Sequence, residues 1–274
     1  MKKIIFTLAL LLVVGMGFSQ RPEMVFIEGG SYYMGNDYSG ALDEKPEHKV
    51  TLGDFYMSKY EVTFEMFDNF SRSTGFVNAD DGQYGRGKNP AINISWEGAI
   101  KYCNWLSSRF GYEKVYDLKI DSSGMTIQGV NWDADGYRLP TEAEWEYVAK
   151  GGSKSQGFAY AGSNDPKEVA WFSDNSENKP HEVGSLKPNE LGIYDILGNA
   201  WEWCWDYYDG GYYSKSPEND PRGADKGDNR TYRGGNFESK IEFIRITRRF
   251  SLSPTLSSGL VGIRLVQNGT AEQP

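Results

Sequence analysis

Twelve residues, Gly192-Ile193-Tyr194-Asp195-Ile196-Leu197-Gly198-Asn199-Ala200-Trp201-Glu202-Trp203, constrain this chain more than any other stretch. They hold two carboxylates, two glycines, an amide and two tryptophans. Asp195 and Glu202 stand seven positions apart, so only unbroken helix would put them on one helical face. Gly198-Asn199 opposes that, because both residues favour turns and left-handed backbone. A turn folds the carboxylates back toward each other and points backbone carbonyls inward. Two readings are open. In one, the tryptophans fill a core and the acids stay in water beside a tight turn. In the other, carboxylates and carbonyls surround a hard cation such as calcium, although the spacing is not that of an EF-hand loop.

The rest of the sequence reads as a turn-rich domain. Glycine supplies 32 of 274 residues, while aromatic side chains make up 15%, enough for an ordered core. A net charge of -9 argues against nucleic acid or anionic membrane as a partner. Residues 1–19 read as a secretory signal, with Lys2 and Lys3, an apolar run from Ile4 to Met16, and small residues before a cut near Gln20. That run is too short to span a bilayer, and no later segment is apolar for long enough. The expected product is exported, periplasmic or secreted. Two cysteines, Cys103 and Cys204, exclude a disulfide framework, and neither sits in a CxxC pair. His48 and His181 are thin material for acid–base or transition-metal chemistry.

Local signals place the elements. Residues 24–35 read as two short strands in a hairpin around Gly29-Gly30, and the alternation over 48–60 as one half-buried strand. Thr63 and Ser95 cap helices, the second carrying Trp96, Ala99, Ile100, Cys103 and Leu106 on its apolar face. Cys103 is therefore expected to be buried and inert. Residues 112–136 read as a strand hairpin ending in Asp133-Ala134-Asp135-Gly136, a solvated turn more than a cation site. Thr141 and Glu144 form a capping box, with Arg138 set to pair with a neighbouring acid. His181 reads as a hydrogen-bonding turn residue, and 262–266 as a closing strand. One domain spans 22–268, followed by a tail at 269–274.

The organising stretch resembles the signature of the sulfatase-modifying-factor family, to which the formylglycine-generating enzyme belongs. The likeness continues in order along the chain. It takes in Phe26-Ile-x-Gly-Gly-x-Tyr-x-Met-Gly35, Glu61-Val62-Thr63, Asn89-Pro90, Ser95-Trp96, Tyr137 to Glu146, Arg233-Gly234-Gly235 and Gly262-Ile263-Arg264. The resemblance implies an α+β, C-type-lectin-like fold of twisted antiparallel sheets with few helices and much irregular chain. It also implies a calcium site using the side chains of Asp195 and Glu202 and the carbonyls of Gly198 and Ala200.

The family's enzyme oxidises a sulfatase cysteine to formylglycine with copper(I) held by two thiolates. Those thiolates stand sixth and eleventh from the first glycine of the Gly-Gly motif, where this chain has Ser239 and Ile244. Trp201 matches a tryptophan of the oxygen pocket, and Asn236 stands in place of a serine. Copper is therefore not expected, and no catalytic residue is assigned. The expectation is a non-catalytic, calcium-braced binding or envelope-assembly module. Its cleft would be lined by Trp201, Asn236, Ser239 and Arg248, and its partner would be a protein, peptide or glycan. Other members of the family are exported proteins of gliding and secretion machinery, or paralogues without the catalytic cysteines that bind partners. The alternative is the formylglycine-forming oxidase itself, or another enzyme using the same cleft.

Overall fold

Short strands divided by glycine fill the first sixty residues, and their pairing decides the architecture. The computed structural model describes residues 21–269 except 78 and 123, so the expected signal at 1–19 and residues 270–274 of the tail lie outside the described residues. β1 (Met24–Ile27) and β2 (Gly30–Met34) flank Gly29, yet they do not form the hairpin expected there. β2 pairs instead with β3 (His48–Leu52), and β1 with β4 (Phe55–Ser58), both antiparallel. The reason is local. The Gly29 amide donates to Asp54 Oδ1 at 2.8 Å, and a Cβ on Gly29 would lie 2.4 Å from the Leu52 carbonyl oxygen. Bare backbone at Gly29 lets two chain crossings touch, so the strands part into different sheets. Gly53-Asp54 likewise splits the single strand expected over 48–60 into β3 and β4.

The helices start at their caps. Thr63 Oγ1 accepts the Met66 amide at the head of α1 (Phe64–Thr74), and Ser95 Oγ accepts the Gly98 amide at the head of α2 (Trp96–Phe110). Left-handed Gly75 and Gly111 end them. The expected hairpin follows as β5 (Tyr116–Asp121) and β6 (Gly124–Val130), and then β7 (Tyr137–Arg138) leads to α3 (Glu142–Ala149). Both bonds of the Thr141–Glu144 capping box form, and Arg138 clamps Glu144 with bonds of 2.6 and 2.7 Å. β8 (Ala170–Trp171) and β9 (Leu197–Gly198) make a short parallel pair.

The rest is sheet. β10 (Trp201–Tyr207), β11 (Arg230–Arg233), β12 (Arg249–Leu252) and β13 (Val261–Gly262) lie in the order β12-β11-β10-β13. β14 (Val266–Asn268) sits between β4 and β7 in the sheet β1-β4-β14-β7. The closing strand expected over 262–266 is therefore two strands in two sheets, and the break between them aims Arg264 inward. Side chains alternate across β10: Trp201 and Trp203 enter a core with Phe67, Tyr102 and Ile263, whereas Cys204 enters a second with Trp145, Phe172 and Ile193. Cys103 lies in the first core. Both cysteines are buried and unbridged, and burial pushes both thiols up, as expected for an inert Cys103.

Candidate metal centre and cleft

Left-handed backbone at Asp195 (φ 53°), Gly198 (φ 76°) and Asn199 (φ 55°) bends the organising stretch into the turn its sequence predicts. Gly198 is there for room as well, because a Cβ would stand 2.2 Å from the Trp171 carbonyl oxygen. Asn199 ties the turn to distant chain. Its Oδ1 accepts the His181 amide at 2.9 Å, and its Nδ2 donates to Glu61 Oε2 at 2.7 Å. His181 itself stacks on Trp171 at 3.8 Å and bonds the Ser176 carbonyl, a structural role.

The acids are not in water. Asp195 is 3% exposed and Glu202 fully buried, and Glu61 joins them at 2% exposure. Glu61, which the sequence marks only as part of the family likeness and not as a site residue, also accepts the Ala200 amide at 2.9 Å. Glu202 takes Arg264 on both oxygens at 2.9 and 3.0 Å, and its Oε2 accepts Trp145 Nε1 at 2.7 Å. Asp195 Oδ2 accepts the Gly184 amide at 2.6 Å, whereas Oδ1 is buried with no hydrogen bond. Burial pushes the Asp195 carboxyl up to about 6, against the pull of the Gly184 amide and Arg264. Burial, then the charges of Asp195 and Glu202, raises Glu61 well above the usual carboxylate range. Burial raises Glu202 too, with Arg264 opposing.

Three buried carboxylates thus share one guanidinium, and one oxygen is left orphaned. That surplus fits a hard cation, since every donor is oxygen and the ion supplies the missing positive charge. Among the described residues no three His, Cys, Asp or Glu side chains converge to hold a metal by themselves. An ion here needs backbone carbonyls to complete its shell.

The contacts of the expected cleft residues fall in two pairs. Trp201, 7% exposed, packs on Tyr232 at 5.2 Å and Phe250 at 4.9 Å, and the Arg248 guanidinium lies 4.4 Å over the same Phe250 ring. Asn236 and Ser239 are hydrogen-bonded to each other. Ser239 Oγ donates to Asn236 Oδ1 at 2.7 Å and accepts the Asn236 amide at 3.0 Å, and both residues are buried. Ile244 is fully buried beneath Gly235, where a Cβ would meet its Cγ2 at 2.6 Å.

Known proteins share this sequence and fold. The chain is 35% identical over 228 residues to the chaperone protein LppX of Paenibacillus barcinonensis, covering 72% of this chain and 75% of that one. It is 29% identical to the formylglycine-generating enzyme of Streptomyces coelicolor, over 90% of this chain and 91% of the enzyme. A Chlamydia pneumoniae protein named serine/threonine-protein kinase pkn1 is 28% identical, but the chain spans only 38% of its length. The structure of Treponema denticola variable protein 1 superposes with a TM-score of 0.76 at 29% identity, covering 89% of this chain and 94% of that one. The fold is α+β, of the C-type-lectin-like type seen in formylglycine-generating enzymes. The family described as "Sulfatase-modifying factor enzyme 1-like domain" matches residues 15–269, so the chain belongs to the sulfatase-modifying-factor, or formylglycine-generating-enzyme, family.

Proposed function

We propose that this chain is a non-catalytic binding or assembly module, exported and built on the formylglycine-generating-enzyme scaffold. The observation that carries the reading lies at the two positions matched to the copper-holding thiolates. Ser239 is bonded within its own turn, and Ile244 is buried in the core. A hydroxyl does not hold copper(I), and an isoleucine holds nothing. Similarity to a protein named a chaperone supports binding of another chain. Similarity to named formylglycine-generating enzymes favours the alternative, oxidation of a sulfatase cysteine. The two separate in one assay: purified protein, copper(I), oxygen and a cysteine-bearing sulfatase peptide, followed by mass spectrometry. The peptide is expected unchanged. Catalytic conversion of its thiol to an aldehyde would overturn the proposal.

Calcium is the proposed brace of the scaffold. Asp195 and Glu202 would hold it through their carboxylates, together with the carbonyls of Gly198 and Ala200. Bound there, the ion would supply the charge balance that Arg264 alone does not give these carboxylates. Protein purified without added metal should contain about one calcium per chain and no copper. Stoichiometric copper instead would return the oxidase to first place.

A further inference from the structure

Among the described residues β5 and β6 form a sheet of two strands only, so each has an outer edge with no third strand. One of those edges already meets a substitute. Asn104, on α2, donates from Nδ2 to the Tyr116 carbonyl at 2.7 Å and accepts the Tyr116 amide on Oδ1 at 3.2 Å. One bond given and one taken is what a residue of a neighbouring strand would offer Tyr116. Backbone groups alternate sides along a strand, so the N–H and C=O of Leu118 and Ile120 point the same way as those of Tyr116. The bulge does not reverse this. Asp117 faces Gly129 and Leu118 faces Ile127, which puts the extra residue, Gln128, on β6.

That edge forms one wall of a groove. A cavity of about 680 Å³ runs between it and the helices, with Phe70, Phe76 and Trp105 opposite Tyr116, Leu118 and Ile120. Ile120 is 62% exposed. The lining also has a local charge bias: Lys101 and Lys114 against Asp117, in a chain of net charge -9. Lys114 makes no ion pair among the described residues, and Lys101 reaches Glu97 only at 3.9 Å. Exposed edge strands in soluble proteins are usually blunted or covered. Here the open edge is paired with an aromatic wall and two lysines.

We propose that this groove receives an extended segment of another protein, which joins β5 as a third strand. Its chemistry follows from the walls. Apolar side chains at alternate positions would rest on Phe70, Phe76 and Trp105, main-chain groups would pair with Leu118 and Ile120, and an acidic side chain would reach Lys114. The surface shares no residue with the Trp201–Arg248 patch, so it stands or falls apart from the proposed function.

A phage-displayed random heptapeptide library panned on the full chain tests this. Enriched peptides should carry β-branched or aromatic residues at alternate positions with Asp or Glu beside them. A synthetic copy of the best one should slow amide exchange at Leu118 and Ile120 by about tenfold or more. Ile120→Pro removes the outward N–H and should weaken binding about tenfold, at an edge position where proline is tolerated. Lys114→Glu, at an exposed side chain, should do the same and carries the test if the proline variant does not fold. Three outcomes would overturn the proposal: no enrichment over the Lys114→Glu protein, a helically spaced consensus, or protection elsewhere than β5. A concentration-dependent dimer abolished by Lys114→Glu would assign the edge to a second copy and overturn it equally.

Discussion

Two buried charge clusters lie on either side of Trp145, and they are solved differently. In the first, Arg233 bonds Glu142 and Glu146 at 2.6 Å each, Arg249 holds both oxygens of Glu142, and Lys150 reaches Glu146 at 2.9 Å. Burial would raise the Glu146 carboxyl, yet Lys150, Arg233 and the Gly35 amide carry it down to about 2. Glu142 is lowered in the same way, its burial outweighed by Arg249 and Arg233. Asp206 is the exception: burial and the Glu142 charge push it up to about 8, and it accepts the Glu142 amide. In the second cluster Arg264 is the one cation acting on Glu61, Asp195 and Glu202 among the described residues, and all three are raised. The first cluster is closed by the chain's own cations. The second is short of positive charge, which is the physical argument for an added ion.

Arg233→Met leaves Glu142 and Glu146 short of a buried counter-charge and should cost about 3–5 kcal/mol, read by urea unfolding, with or without calcium. Chelation should act on the other cluster alone. An ion at about a hundred times its Kd stabilises by about 2.7 kcal/mol, so removing it should lower Tm by about 5–10 °C at pH 7.5. The sign with pH follows from Asp195. A carboxyl raised in the fold contributes stability that is fully present below its unfolded value, near 4, and lost as pH rises through about 6. The calcium-free protein should therefore weaken from pH 4 to 7, and the gap between calcium and chelator should shrink toward pH 5. A gap independent of pH would count against the site.

Asp195→Asn sharpens the same contrast. It removes the charge that needs the ion, so the Tm difference between calcium and chelator should fall below about 2 °C. Calorimetry of the two states checks it. The smallest effect belongs to a pair outside both clusters. Thr141→Ala loses one cap bond at α3 and should cost about 1 kcal/mol, equally in calcium and in chelator.

What could be read from the sequence was local. The caps at Thr63, Ser95 and Thr141, the Asp195–Asn199 turn and the burial of Cys103 each depend on a few neighbouring residues, and each appears where expected. Strand pairing followed local pattern in the β5–β6 hairpin but not in the first sixty residues. Gly29-Gly30 has the composition of a hairpin, but the contact that forbids it is with Leu52 and Asp54, far along the chain. Glu61 was missed for the same reason: it lies 138 residues from the Asn199 it bonds, and nothing beside it in sequence marks it as acidic core. The pairing of Ser239 with Asn236 was within reach, since three residues separate them and each satisfies the other.

The place of β14 has a consequence for how the chain acquires its shape. β14 lies between β4 and β7, and Asn268 holds the Arg138 guanidinium while donating to the Trp132 and Ala134 carbonyls. Its partner Phe55 belongs to the opening quarter of the sequence. During synthesis, β1 and β4 can associate early, but the space beside β4 stays open until about two hundred further residues have emerged. The molecule closes from its far end, and a growing chain stopped short of Asn268 carries an unfilled slot in the middle of a sheet.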